Sequence, residues 1–376
     1  MSRHSIERNI SFDDQRQKYY VTLHFGVDPE TGKVVRQTRT FDTRKEARAA
    51  LRKHEAQRDA GLQVVPRNTT FGQWLSHWLE TVAPLNRAVT TVYSYRNIIQ
   101  RHILPALGDS PLQALTPQHL QRYYAMLVQE KHLSGNTARK HHDLINLVLK
   151  QAVNQDLIFR NPAERVEPPK HRPPTIHFYA EEDLQRLFQA AEGTRLEVLI
   201  KLAGYLGLRR EEILGLKWDC VCFETRTLEI RSVRTAAGKF IVTKEPKTES
   251  SRRVLHIPDD LADTLRREQD RQAYYREQLG NTYHDTGYVF AHEDGRPFRP
   301  NHVSDLFVAF IRKNQLPPLT LHGLRHSFAS IANAKGIPMY DIGKALGHST
   351  PATTSKIYTH LLDPTHKDLL EKLWET

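Results

Sequence analysis

The sequence predicts a multidomain chain: a small α+β domain with a three-stranded sheet plus helix, an all-α four-helix domain, and a mainly α domain with a small antiparallel sheet. Three observations lead there. A length of 376 residues suits two or three domains, and 39% hydrophobic residues can build a core in each. Residues 1 to about 60 alternate as strands do and then change period, whereas apolar residues at helical spacing dominate the rest of the chain. Two stretches, "GLQVVPRNTT" and "FRNPAERVEPPKHRPPT", read as linkers. The expected domains are 1–63, 70–166 and 175–376.

In the first domain "KYYVTLHFG", a turn "DPETGK" and "VVRQTRTF" precede the helical "DTRKEARAALRKHEAQRDAG". Tyr19, Val21, Leu23 and Phe25 share one strand face and Tyr20, Thr22 and His24 the other, so the apolar face can sit on the helix. Asp42 or Thr43 is the expected cap, with Gly61 closing the helix. Through residue 65 there are 13 Lys and Arg against 9 Asp and Glu. A basic sheet of this size can lie in a DNA major groove or simply present a solvated face. Strand alternation makes Tyr20, Thr22, Arg36 and Arg39 the candidate DNA contacts.

In the second domain Thr69 or Thr70 is placed to cap "FGQWLSHWLETV", where Trp74, Trp78 and Val82 recur at helical spacing. "TTVYSYRNIIQRHILPAL", "TPQHLQRYYAMLVQEK" and "SGNTARKHHDLINLVLKQAVNQD" are three further helices. The second of these starts with Thr116 as cap and Pro117 in the first turn. From Ile176 on helices dominate, except that "TLEIRSV", "KFIVTKEPK" and "RRVLHIP" form a strand cluster separated by "TAAG" and "TESS" turns.

Composition narrows the partners. Lys and Arg total 54 against 43 acidic residues, a net charge of +11, which favours a polyanion such as nucleic acid. Cys220 and Cys222 form a C-x-C pair that builds neither a zinc site nor a disulfide framework, consistent with a reducing cytoplasm. "MSRHSIERNISF" lacks a signal-peptide core, and no run approaches the length that spans a bilayer, so no membrane association is expected. None of the 20 histidines falls in a metal-ligand spacing, and neither metal nor cofactor is expected.

Three stretches of the last domain set unusual polar groups beside apolar helix residues: "GYLGLRREEILGLKW", "LTLHGLRHSFASI" and "LGHSTPATTSKIYTHL". Arg209 and Glu212 are three apart, either an ordinary intrahelical ion pair or a guanidinium held for a ligand. His322 and Arg325, also three apart, can contact one anion together. Tyr358, taken alone, reads either as an amphipathic wedge or as a reactive group.

"GLRREEIL", "PKTESSRRV", "HGLRHSFAS" and "LGHSTPATTSKIYTH" occur in the order of the catalytic boxes of the tyrosine recombinases, the phage-integrase family, which the chain resembles from about residue 175 to its end. The helical domain resembles that family's core-site DNA-binding domain. The N-terminal sheet and helix resemble the arm-type DNA-binding domain of integrases from temperate phages and conjugative transposons. The resemblance implies that Arg209 and Arg325 clamp the phosphate, that Lys247 lies on a strand turn, that His322 and His348 accompany them, and that Tyr358 is the nucleophile. Glu212 then supports the first arginine, and His326 has a structural role. Leu206 departs from the threonine that many members carry before "GLR".

That set suits a phosphodiester. Two planar, always-charged guanidiniums can hold non-bridging oxygens as charge develops on them. A phenol of pKa about 10 needs a base and a cationic pocket, with His322 the candidate for that help and Lys247 the acid for the departing 5′ oxygen. By resemblance the product is a 3′-phosphotyrosyl enzyme, whose bond energy permits religation without ATP or metal. The implied function is integration and excision of a mobile element, on double-stranded DNA with core and arm attachment sites, as a homotetramer in the synaptic complex. An excisionase and a host DNA-bending protein are the accessory partners implied, in the cytoplasm of a bacterial host at its nucleoid. The rival readings are a type IB-like topoisomerase and a catalytically silent DNA-binding regulator on the same scaffold. Leu369, Leu370, Leu373 and Trp374 form an apolar stripe for packing on the same domain or docking on a neighbouring protomer.

Overall fold

The computed structural model describes residues 3–27, 32–60, 64–170, 172, 175–246 and 251–348. The chain divides into two compact units, residues 1–173 and 174–376.

The first unit opens with an antiparallel sheet of β1 (Arg3–Glu7), β2 (Ile10–Asp13), β3 (Lys18–Val27) and β4 (Val34–Phe41), in sequence order. That is one strand more than the three expected. The chain reverses at Arg8 and Asn9, with Asn9 at φ 66, and asparagine enters that left-handed region without glycine's help. No Gly or Pro marks the turn, so the segment does not read as two strands. Thr43 caps α1 (Arg44–Asp59) in a capping box with Glu46; Gly61 lies outside the described residues. The core under α1 is Ile10, Val21, Leu23 and Ala47. Glu7 ties β1 to the helix by accepting from Arg44 Nε at 2.8 Å and Arg48 Nε at 2.8 Å. Hydrogen bonds from Arg48 and then Arg44 hold its carboxyl at about 2.

A second, separate core of the same unit is helical. Thr70 caps α2 (Phe71–His77), which runs through a wide π turn at Trp78–Val82 into α3 (Ala83–Asn86); α4 (Val89–Ile98) likewise passes a π turn at Ile99–Ile103 into α5 (Leu104–Leu107). Each π turn precedes a proline, Pro84 or Pro105, whose ring would clash with the carbonyl four residues back in an unbroken α-helix. Thr116 caps α6 (Pro117–Gln129) and Ser134 caps α7 (Gly135–Asn154). Trp74 and Trp78 are buried, and the Trp74 indole donates to the Val148 carbonyl at 3.1 Å. Four helical rods thus form the bundle, two of them interrupted.

In the second unit α8 (Glu181–Ala191) and α9 (Glu197–Leu206) lead to α10 (Arg210–Gly215). Nearly every residue of α9 is buried, including Lys201, whose ammonium reaches Glu197 at 3.1 Å and Asp260 at 2.9 Å. Strands β5 (Val221–Cys222), β6 (Thr227–Glu229) and β9 (Val254–His256) make one antiparallel sheet; β7 (Val233–Ala237) and β8 (Phe240–Lys244) make another. Among the described residues two sheets therefore stand where one was expected. Between β6 and β7 the chain passes so close to α10 that a side chain at Gly215 would meet the Ser232 carbonyl at 2.5 Å, and Ser232 Oγ donates to the Gly215 carbonyl at 2.7 Å. Beyond that contact β7 pairs with β8 rather than with the first sheet. α11 (Asp259–Leu279), α12 (Pro300–Lys313), α13 (Leu321–Ala334) and α14 (Met339–Leu346) complete the described fold.

Candidate active site

The site is built where α9, α13 and α14 meet. α9 ends at Gly207 with φ 60, a conformation that favours glycine; a Cβ there would also meet Leu346 Cδ2 at 2.6 Å and Phe328 Cδ1 at 2.8 Å. This close approach brings the start of α10 against the end of α14. Arg209 is the residue before α10, and its backbone N–H donates to Glu212 Oε2 at 2.9 Å while its Nη1 donates to Glu212 Oε1 at 2.7 Å.

Thr320 caps α13 by accepting from the Gly323 N–H at 3.1 Å. His322, Arg325 and His326 then fall on one helical face. Arg325 is 2% exposed. Its Nη1 donates to the Gly207 carbonyl at 2.8 Å and its Nη2 to the Leu346 carbonyl at 2.7 Å, so one guanidinium joins the ends of α9 and α14.

α14 ends in a Schellman arrangement. Gly347, at φ 68, donates to the Lys344 carbonyl at 3.0 Å, and the His348 N–H donates to the Gly343 carbonyl at 2.9 Å. The next three carbonyls each take an arginine: Ala345 from Arg253 Nε at 2.7 Å, Leu346 from Arg325, and Gly347 from Arg209 Nη2 at 3.3 Å. Cations are favoured at the negative end of a helix, and here three converge on it.

Arg253 is the residue that sequence reasoning missed. It precedes β9, its side chain is 8% exposed, and it grips Glu212 with both arms, Nη1 to Oε1 at 3.2 Å and Nη2 to Oε2 at 3.0 Å. Glu212, 1% exposed, thus lies between two guanidiniums. Burial would raise its carboxyl, but the hydrogen bond and charge of Arg253, followed by Arg209, hold it below the ordinary range.

The histidines are kept neutral. Burial, followed by the charges of Arg325, Arg209 and Arg253, lowers His348 to about 4. Burial, then His322 and Arg325, lowers His326 to about 4. His322 is exposed at the surface, yet enough protein surrounds its ring to disfavour the cation, and Arg325 adds to that; its pKa is lowered too, with Glu211 opposing. The His322 and His326 rings meet edge to face at 4.8 Å. A cavity of about 470 Å³ opens beside Arg209 and His322, lined also by Arg210, Ser304 and Thr320.

Arg209, Glu212, His322, Arg325, His326 and His348 are therefore brought together. Lys247 and Tyr358 lie outside the described residues, as does the apolar stripe at Leu369, Leu370, Leu373 and Trp374. In the N-terminal sheet Tyr20 lies opposite Thr40, Thr22 opposite Thr38 and His24 opposite Arg36, all on the face away from α1. Arg39 lies opposite the buried Val21, on the other face from Tyr20, Thr22 and Arg36, and donates to Gln37 Oε1. Arg3 joins the free face, its guanidinium 4.0 Å from the centre of the Tyr20 ring.

Residues 177–364 match the phage integrase family, and residues 70–128 match the N-terminal SAM-like domain of phage integrases. The chain is 27% identical to a XerC-like tyrosine recombinase of Caldanaerobacter subterraneus subsp. tengcongensis, over 95% of this chain and 96% of that one. It is 27% identical to the ICEBs1 integrase of Bacillus subtilis, again over 95% and 96% of the two chains. Among solved structures, the Tn1549 transposon integrase with transposon right-end DNA has a similar fold, with a TM-score of 0.68 at 18% identity, over 81% of this chain and 99% of that one. The lambda integrase tetramer bound to a Holliday junction gives 0.57 at 19% identity, over 94% and 95%.

Proposed function

The chain belongs to the phage integrase family and is a site-specific tyrosine recombinase that cleaves and rejoins DNA strands; from that premise we propose that Tyr358 is its nucleophile and that Arg209 and Arg325 clamp the scissile phosphate. The phenol oxygen attacks phosphorus, the 5′ oxygen leaves, and the enzyme is left as a 3′-phosphotyrosyl ester. Negative charge building on the non-bridging oxygens meets two fixed guanidiniums in a partly dehydrated site, where preorganised donors lower a barrier most. His322, whose cationic form burial and Arg325 disfavour, accepts the phenol proton. Lys247 protonates the departing 5′ oxygen, and a hydroxyl of the partner strand reverses the sequence. His348 lies beside the arginines and donates to the phosphate, while His326 positions His322.

What supports this reading best is the convergence of Arg209, Arg325 and His348 on the end of α14. The domain proposal is arm-site binding by residues 1–63, core-site binding by 70–166 and catalysis by 175–376. Binding to core and arm sites, assembly as a tetramer on DNA and control by an excisionase and a DNA-bending protein complete the proposal. The protein would act at the nucleoid of a bacterial cytoplasm. Among the described residues no helix is long and apolar enough to cross a membrane.

The test is a nicked attachment-site duplex that traps the cleaved strand. Wild type forms an adduct that survives denaturant and is unchanged by chelator; Tyr358→Phe forms none. An equal adduct from Tyr358→Phe, or none from wild type, would overturn the proposal.

A further inference from the structure

The two clamping arginines do not stand alone at the end of α14. Arg253 reaches the same helix end through the Ala345 carbonyl and the same carboxylate, Glu212, that orients Arg209. Glu212 creates a difficulty for the chemistry. A buried carboxylate 2.7 Å from Arg209 competes with a phosphate for that guanidinium, and a one-to-one pair would leave no net charge. With Arg253 gripping both carboxylate oxygens, the trio carries one net positive charge, and Arg209 stays attractive to an anion while being held by its backbone N–H and Nη1.

Resting on the recombinase reading, we propose that Arg253 is a positioning residue for strand cleavage: its fork holds and offsets Glu212 so that Arg209 keeps its charge for the scissile phosphate. Its contacts span the chemistry's separate segments. Glu212 lies 41 residues away in sequence and Ala345 lies 92 away. Arg253 touches no reacting atom; it acts through Glu212. Lysine cannot replace it, because one ammonium on a flexible stem does not present the fork that holds two carboxylate oxygens and a carbonyl together.

The experiment compares single-turnover cleavage of two nicked attachment-site duplexes, one with the ordinary scissile phosphodiester and one with an uncharged methylphosphonate there. Each variant is compared with wild type on the same duplex. With the phosphodiester, Arg253→Gln should lose about 30- to 100-fold and Arg253→Lys about tenfold, of the size that misplacing a catalytic group costs. Band-shift affinity for the core site should stay within about threefold, since the loss lies in kcat rather than in binding. With the methylphosphonate both deficits should shrink to about threefold or less, as should that of Arg209→Ala, because a neutral centre demands less of Arg209's charge. A purely structural role would reduce both duplexes equally, and that result overturns the proposal. So does wild-type cleavage of the phosphodiester by Arg253→Lys, which decides the matter if Arg253→Gln does not fold. Failure of wild type to form an adduct would instead strike the recombinase reading.

Discussion

Arg325 and Gly207 are joined by a hydrogen bond of 2.8 Å between a buried guanidinium and a backbone carbonyl, across 118 residues of sequence. The same guanidinium reaches Leu346 at 2.7 Å. One side chain therefore holds two helix ends in the register that the proposed phosphate clamp needs. Arg325→Lys keeps the charge but cannot span both carbonyls. Cleavage of the nicked duplex should fall by about 100-fold or more, the cost of losing a preorganised donor set, and unimpaired cleavage would contradict the clamp.

Gly207→Ala tests the approach of those helix ends. The added methyl group meets Leu346 and Phe328 inside contact distance, at a positive φ. A loss of about 2–4 kcal/mol in urea unfolding is expected from strain and overpacking together. Cleavage should fall as well.

Glu212→Gln keeps the shape of the side chain but leaves Arg253 buried against an uncharged partner. Losing one member of a buried pair costs about 3–5 kcal/mol, and retained hydrogen bonds place this variant toward the lower end. The expected result is a folded but destabilised protein with slower cleavage. Unchanged urea midpoints would mean that the Glu212 charge is not what holds the two arginines.

His326 and His348 set a pH dependence. Both are held at about 4 against an ordinary 6.5, first by burial and then by neighbouring charge. Below about 6.5 the unfolded chain takes up protons that the folded chain resists, so stability present above that pH declines as pH falls toward 4. Urea midpoints at pH 7 and pH 5 should show the drop, and His326→Gln should make it shallower. The same drop with His326→Gln would remove His326 from the account.

In the N-terminal sheet, Arg36 and Arg39 should behave differently toward arm-site DNA. Arg36 shares the open face with Tyr20 and Thr22, whereas Arg39 lies on the other face and hydrogen-bonds Gln37. Arg36→Ala should weaken binding and reduce the salt slope by about one, as the loss of one phosphate contact does. Arg39→Ala should change little; the opposite ranking in a salt titration would reverse the assignment of faces.

Much of this was legible because it is local. The caps at Thr43, Thr70 and Thr116 follow from residues three apart, as does the Arg209–Glu212 pair, and His322 with Arg325 needs only the helical repeat. Arg253 is different: "SRRV" carries no local sign that one of its arginines crosses 41 residues to a buried carboxylate. The fourth strand was hidden by a turn without Gly or Pro. Arg39 illustrates the limit of alternation, since parity separates it from Arg36 but only the pairing with Val21 shows which face belongs to the helix. The π turns before Pro84 and Pro105 follow from the prolines, which the apolar periodicity by itself does not register.

The capped end of α14 also sets a tether length. All five carbonyls from Gly343 to Gly347 are engaged, so the chain leaves this helix from a fixed origin. Ten residues later comes Tyr358, and ten residues at full extension span about 33–36 Å. Extended by the reach of the Tyr358 side chain, that contour length bounds how far from His348 the proposed nucleophile can meet a phosphate. Each residue inserted between His348 and Tyr358 enlarges that bound by about 3.5 Å without altering the arginines at its origin.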